Sequence, residues 1–157
     1  MSIRFVAMET SIVEALRHGH PDSNGQTAER RVAPDNGYPC RHCLGPIAKG
    51  EPFLVLAHRP FPAPQPYAEV GPIFLHAEPC ERYPSTGATP GMFMKPGRRY
   101  LLKGYHSDDR IFYGTGQIVE PDDVASAAAK ILERPDVAYV HVRSALNNCF
   151  QCRIDRA

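Results

Sequence analysis

Cysteine and histidine residues in short pairs are the side chains of this sequence best suited to chemistry. Cys40 and Cys43 form a C-x-x-C pair, and His76 and Cys80 form a second pair further along the chain. Two-residue spacing lets both thiolates turn toward one metal ion, or lets both thiols close a small disulfide. Zinc prefers thiolate and imidazole donors, and four of them complete a tetrahedron. We therefore predict a structural zinc site formed by these four residues, and we assign no catalytic residue.

The elements that would position these ligands can also be read from the sequence. The first cysteine pair is predicted on a tight turn, and His76 at the end of a strand. Cys80 is predicted to open a short helix that begins at Pro79 and ends at Pro84. This order of turn, hairpin and helix resembles a treble-clef zinc site. A metal bound there would pin the long 44–75 segment to the sheet.

A second C-x-x-C pair, Cys149 and Cys152, offers other ligands. In an extended strand, positions i and i+3 point to opposite faces, so these two share a metal only if the backbone bends. A bent backbone would let Cys152 join the first cluster. The alternation of apolar and polar residues favours a straight strand instead. It places Cys152 on the apolar face with Phe150 and Ile154, and Cys149 on the polar face.

Other interpretations of the same residues remain open at the level of sequence. The chain could be a thiol-dependent enzyme or redox protein that uses Cys149 or Cys152 with His141 as a base. It could be a binding module whose Pro-rich 60–72 loop and Tyr67 hold a peptide or a partner protein. The cysteines could also pack without metal as small hydrophobic residues. No pattern in the sequence identifies a substrate, a partner or an oligomeric state.

Size and charge narrow the class of protein. The chain has 157 residues, a length typical of a single domain covering residues 1–157. Its 18 basic and 17 acidic residues give a formal net charge of +1, without a long run of one sign. A nucleic-acid-binding surface normally carries a basic patch, so nucleic acid is not expected as a partner.

The compartment is predicted from apolar runs and cysteine usage. No run of 18 apolar residues indicates a membrane span, and the first residues lack the apolar region of a secretory signal. We therefore expect a cytoplasmic protein, in which thiols stay reduced. The five cysteines cannot all pair in disulfides. Both points favour metal binding or catalysis over structural disulfides as the role of the paired cysteines.

Hydrophobic periodicity and turn residues predict an α+β fold. The strands cluster and do not alternate with helices, which favours an antiparallel or mixed sheet with two main helices and long Pro/Gly-rich loops. The predicted helices are 10–18 and 122–133. The predicted strands are 2–8, 30–32, 53–58, 73–76, 100–105, 111–119, 137–142 and 149–154.

Four segments carry a resemblance to a known family. They read YPCRHCL at 38–44, PYAEVGPIFLH at 66–76, AYVHVR at 138–143 and NNCFQCRIDR at 147–156. Together they resemble a bacterial family known as domain of unknown function 1203, and the last segment is the most specific. The resemblance spans most of the chain. It implies a stand-alone cytosolic bacterial protein, with no assigned activity and no catalytic residues to carry over.

Overall fold

The structure, a computed structural model that describes residues 1–157, contains ten strands and two α-helices. The helices are α1 (Thr10–Arg17) and α2 (Val124–Leu132). The strands are β1 (Ile3–Val6), β2 (Glu29–Val32), β3 (Tyr38–Pro39), β4 (Pro46–Ile47), β5 (Pro52–His58), β6 (Gly71–His76), β7 (Tyr100–Tyr105), β8 (Gln117–Val119), β9 (Tyr139–Ser144) and β10 (Phe150–Arg156). All strand pairs are antiparallel, which confirms the predicted α+β class.

The main core lies between a five-stranded sheet and α2. The sheet has the order β1-β10-β9-β7-β8, and 17 buried residues form its apolar cluster. Helix α2 contributes the buried side chains of Val124, Ala128 and Ile131, whose spacing of four and three residues makes one apolar stripe. A 3-10 turn at Pro121–Asp123 leads into the helix, and the fixed φ of proline suits this first position. This core forms without any of the four predicted metal ligands.

A second, smaller core supports those ligands. Strands β2, β5 and β6 form a three-stranded sheet, and β3 and β4 form a short ribbon beside it. Helix α1 buries Val13 and Leu16 in this core, where Cys40 and Leu75 are fully buried. An isolated parallel bridge between Cys40 and Phe74 joins the ribbon to β6. Cys40 thus belongs to this ten-residue apolar cluster, and Cys43 and Cys80 pack against it.

The Pro-rich segment crosses the other face of the five-stranded sheet as an ordered stretch. Phe61 is buried against Tyr105 and Tyr139. Further along, one Glu69 carboxylate oxygen lies 3.2 Å from Arg143 and the other lies 3.6 Å from Lys103. An apolar anchor and a pair of ionic contacts thus hold the loop on the sheet.

Two predicted elements are wrong. No helix forms between Pro79 and Pro84, because the segment bonds to distant parts of the chain instead; the Tyr83 amide, for example, donates to the His42 carbonyl over 3.0 Å. The predicted 111–119 strand shrinks to Gln117–Val119. Gly114 adopts a φ of +90° ahead of it, which is a turn conformation and not a strand.

Candidate metal centre

Four side chains from distant parts of the chain meet in one cluster. The sulfur atoms of Cys40, Cys43 and Cys80 and a ring nitrogen of His76 all lie within 4.8 Å of one another, and this group can hold a metal ion. The Cys40 and Cys80 sulfurs are 4.0 Å apart, and the Cys43 sulfur is 3.5 Å from His76 Nδ1. Around zinc, bond lengths of about 2.3 Å to sulfur and about 2.0 Å to nitrogen place tetrahedral ligand atoms roughly 3.5 to 3.8 Å apart. The cluster is close to that size.

The tight turn predicted for the first cysteine pair is confirmed. The Cys40 amide donates to the Gly45 carbonyl, and the Leu44 amide donates to the Cys40 carbonyl, both over 2.9 Å. Leu44 adopts a left-handed φ of 52°, and its side chain is completely buried. That burial repays the backbone strain of a non-glycine residue in this region. The turn sends the sulfurs of Cys40 and Cys43 to the same side.

His76 ends β6 and reaches the cluster through Nδ1. Its backbone amide also donates to the Cys40 sulfur over 3.3 Å, which ties the strand end to the turn. Its Nε2 lies 3.3 Å from a Glu51 carboxylate oxygen, and the same oxygen accepts the Ala48 amide over 2.8 Å. The carboxylate favours a proton on Nε2, so Nδ1, which faces Cys43, is the nitrogen that a metal ion would bind in place of a proton.

Arg17 of α1 supports the cluster from the helix side. Its side chain is only 5% exposed, and Nη2 donates to the Cys80 sulfur over 3.2 Å. Nε donates to the His76 carbonyl over 3.0 Å, and Nη1 pairs with Glu14 over 2.7 Å. A buried positive charge therefore faces one of the three sulfur ligands and offsets negative charge there.

His42, inside the C-x-x-C motif, gives Cys80 a second hydrogen-bond partner. His42 is buried, with Nδ1 3.1 Å from the Cys80 sulfur and Nε2 2.9 Å from the Thr10 hydroxyl. Burial lowers the pKa of His42, which favours the neutral ring. A neutral ring can donate from Nδ1 to the sulfur and accept the hydroxyl proton at Nε2.

The residues of the metal-free cluster differ in how readily they lose a proton. Hydrogen bonds from Cys43 and then Cys80 hold the pKa of the Cys40 thiol far below its usual range. The same bond raises the pKa of Cys43, which keeps its proton. Hydrogen bonds to Cys40 and Cys80 raise the pKa of His76 to about 10. Cys40 is thus the thiol of the cluster that ionises most readily, and metal binding would displace the protons of Cys43 and of His76 Nδ1.

The C-terminal cysteines lie outside this cluster. Cys152 is 1% exposed in the main core, next to Ile154, and burial raises the pKa of its thiol. The predicted face for Cys152 is therefore confirmed, but the shared face with Phe150 is wrong. A register shift between Phe150 and Cys152 turns the Phe150 ring to the opposite face, 4.9 Å from the His141 ring. Cys149 is partly exposed, with its sulfur 3.8 Å from the Asn147 carbonyl.

His141 is not placed to act as a base for Cys152. Cys152 pairs with Val142 and shares the main core with it, and successive residues of a strand point to opposite faces. The His141 ring instead packs 4.8 Å from the Tyr105 ring, and its Nδ1 is buried without a hydrogen-bond partner. Burial holds the pKa of His141 well below its usual value.

Sequence reasoning did not identify the supporting residues Thr10, Arg17, His42 and Glu51. His42 carried a signal, because it lies between two predicted ligands. Arg17 and Thr10 belong to a helix 23 or more positions before Cys40 in the chain, and nothing local marks them as neighbours of the cluster. Their role depends on how α1 packs on the smaller core.

Comparison with known proteins gives a family but no described activity. No helix in the structure is long and apolar enough to cross a membrane. No curated protein matches the chain, and no solved structure matches it. Residues 37–156 match the family model described as "Protein of unknown function (DUF1203)", and this range contains all four residues of the cluster. Since the match covers well over half of the sequence, the chain belongs to the DUF1203 family.

Proposed function

We propose that this protein binds one zinc ion through Cys40, Cys43, His76 and Cys80, and that the ion is structural. The observation that carries the proposal is the convergence of three sulfurs and one ring nitrogen within 4.8 Å. Soft thiolate ligands with one imidazole favour zinc over hard cations such as magnesium or calcium. The spacing of these atoms, at most 4.8 Å, is close to that of the tetrahedron that zinc adopts in structural sites.

The ligand count supports a structural role. A catalytic zinc keeps one position for water or substrate, whereas four protein ligands leave none. Three thiolates around Zn²⁺ carry a net charge of −1, and the buried Arg17 guanidinium, which also pairs with Glu14, offsets part of it at Cys80. The Glu51 carboxylate orients His76 in the manner common for zinc-bound histidines. Each feature stabilises a closed site.

The ion would join three segments over the smaller core: the turn at 40–43, the end of β6 and the 77–84 segment. Cys43 and Cys80 both pack against that core. We expect zinc removal to loosen the 44–75 region while the five-stranded sheet survives, because the main core contains no ligand. All five cysteines are free thiols, so we also propose a reducing compartment, the bacterial cytoplasm.

Elemental analysis tests the proposal directly. The protein is purified with no metal-binding tag, and we expect about one zinc per chain, as for a closed four-ligand site. Cys43→Ser and Cys80→Ser should lose the metal, whereas Cys149→Ser, a matched control outside the cluster, should keep it. Native mass spectrometry that shows metal-free protein with five free thiols would overturn the proposal.

Hydrogen exchange with and without a chelator tests the structural role. Loss of protection confined to 44–75 and the cluster is expected. Equal protection in both samples would argue against a structural ion. Complete unfolding without metal would show that the main core also depends on it.

A further inference from the structure

A cavity of about 360 Å³ lies between the C-x-x-C turn and the adjoining end of the five-stranded sheet. Arg41 lines it from the turn, Arg98 and Arg99 from the chain before β7, and Cys149 and Gln151 from the region of β10. No aspartate or glutamate lines the cavity, and neither does any residue of the metal cluster. Its volume is within the range of small-molecule sites, roughly 300 to 1,000 Å³.

Among the residues that line the cavity, Arg41 stands out because its charge is buried without a carboxylate partner. It is only 2% exposed, yet its two hydrogen bonds go to neutral groups: Nε donates to the Phe150 carbonyl over 2.7 Å and Nη1 to the Pro39 carbonyl over 2.6 Å. Nη2 has no partner within the protein, and no carboxylate pairs with the guanidinium. The ionisable groups near it include the thiols of Cys149, Cys40 and Cys152. A buried guanidinium without a carboxylate partner is costly, since folding has removed it from water.

The other two deeply buried arginines have the partner that Arg41 lacks. Arg17 pairs with Glu14 over 2.7 Å, and Arg143 lies 3.2 Å from Glu69. Arg143 also leaves Nε and Nη2 without hydrogen bonds, but its charge is paired with Glu69. Arg41 is the buried arginine that lines the cavity without a carboxylate partner, and its Nη2 edge makes no hydrogen bond. The two carbonyl contacts fix its orientation, so this edge is already in place before any ligand arrives.

We propose that this cavity binds the oxyanion of a small molecule, a carboxylate or a phosphate. Arg41 is the innermost donor, since a guanidinium pairs with oxyanions through directed, charge-assisted hydrogen bonds. Arg98 is half-buried and Arg99 is exposed, so they add positive charge toward the mouth. Phe74 and Tyr100 also line the cavity and give the organic part of such a molecule an aromatic wall. This inference does not depend on the identity of the metal.

Cys149 provides a chemical probe of the cavity. Iodoacetate carries a carboxylate and iodoacetamide is its neutral counterpart, and both alkylate thiols. Peptide mass mapping gives the rate of each reagent at Cys149. Because both reagents attack the same thiol, the ratio of the two rates does not depend on how accessible that thiol is. Relative to the same ratio for free glutathione, we expect an increase of about tenfold, in line with one charge-assisted hydrogen bond. Inorganic phosphate or acetate should lower the iodoacetate rate in a saturable way.

Arginine variants show which residues cause the increased ratio of iodoacetate to iodoacetamide rates. Arg41→Gln should bring the ratio close to that of glutathione, and Arg99→Gln at the mouth should lower it in part. Arg31→Gln, on exposed β2, is the matched control and should leave it unchanged. Should Arg41→Gln fail to fold by circular dichroism, Arg41→Lys, which keeps the charge but loses the fork, takes its place and should also lower the ratio.

Protection experiments with phosphate and with acetate distinguish the two ligand classes. Protection by phosphate alone points to a phosphate ester, and protection by acetate alone points to a carboxylic acid; either supports the proposal. A wild-type ratio equal to that of glutathione, with no protection by either anion, overturns it. So does an increased ratio that the Arg41 and Arg99 variants leave unchanged.

Discussion

Arg17 donates a hydrogen bond to the Cys80 sulfur over 3.2 Å, although the two residues are 63 positions apart in the sequence. The same guanidinium binds the His76 carbonyl, so one side chain of α1 contacts two segments that each bring a ligand. Arg17 precedes the region 37–156 that matches the family model. The N-terminal part of this chain thus contributes to the environment of the cluster.

Loss of the Arg17 charge should weaken metal binding. Arg17→Met removes the cation that faces Cys80 but keeps a long apolar stem, and changes around bound metals typically cost about 10- to 100-fold in affinity. Competition with a chromophoric chelator measures the change. Arg31→Met, on exposed β2, should bind zinc like the wild type. Equal affinities for Arg17→Met and the wild type would mean that the guanidinium does not stabilise the bound site.

Neutralising Glu51 should have a smaller effect. In Glu51→Gln the amide oxygen can still contact His76 Nε2 and accept the Ala48 amide, but the negative charge is lost. We expect a loss of zinc affinity of about tenfold, the lower end for such partners. Glu78→Gln is the control, because Glu78 is 65% exposed and pairs with Arg30 at the surface. A loss in the control as large as in Glu51→Gln would refute an orienting role for this carboxylate.

Replacing Cys152 by serine should leave metal content unchanged and reduce stability. The thiol lies in the main core, so Cys152→Ser buries a hydroxyl among apolar groups at a cost of about 1–3 kcal/mol. Urea unfolding gives the free-energy change, and elemental analysis gives the zinc content. Cys149→Ser, at a partly exposed position, should change stability by less than about 0.5 kcal/mol. Zinc loss in Cys152→Ser would instead make this cysteine a ligand.

Acid should destabilise the fold through His58. Burial, with help from Arg41 and Arg59, lowers the pKa of His58 to about 4. Between the ordinary pKa of about 6.5 and this value the unfolded chain binds a proton that the folded protein does not. The contribution of His58 is therefore fully present above pH 6.5 and declines as the pH falls to about 4, by up to about 1.4 kcal/mol per pH unit.

The measurement compares the free energy of unfolding of His58→Gln and wild type from pH 8 to pH 4. Their difference should be constant above about pH 6.5 and should change steadily below it, because only the wild type has this proton linkage. His20→Gln, at an exposed position, is the control for the substitution itself. Parallel curves for His58→Gln and wild type over the whole range would contradict the prediction.

Elements with strong local signals were predictable. Pro121 and the apolar stripe of α2 indicate a helix wherever that segment packs, and the main strands follow their apolar runs. The helix expected at Pro79 failed because its signal was equally local, whereas the real bonds of that segment reach the distant turn. Phe150 was placed on the wrong face because a single extra residue in β10 reverses the alternation, and no residue type marks that bulge.

The sequence by itself determined which side chains can bind a metal. Thiolate and imidazole chemistry belongs to the residues, and the spacing of Cys40 and Cys43 makes a shared turn favourable. Tertiary structure alone decided that Arg17 and Glu51 surround them and that Cys152 lies in another core. It also decided that Arg41 is buried without a carboxylate partner. These outcomes depend on the pairing and packing of segments far apart in the chain, where small shifts of register change which side chains meet.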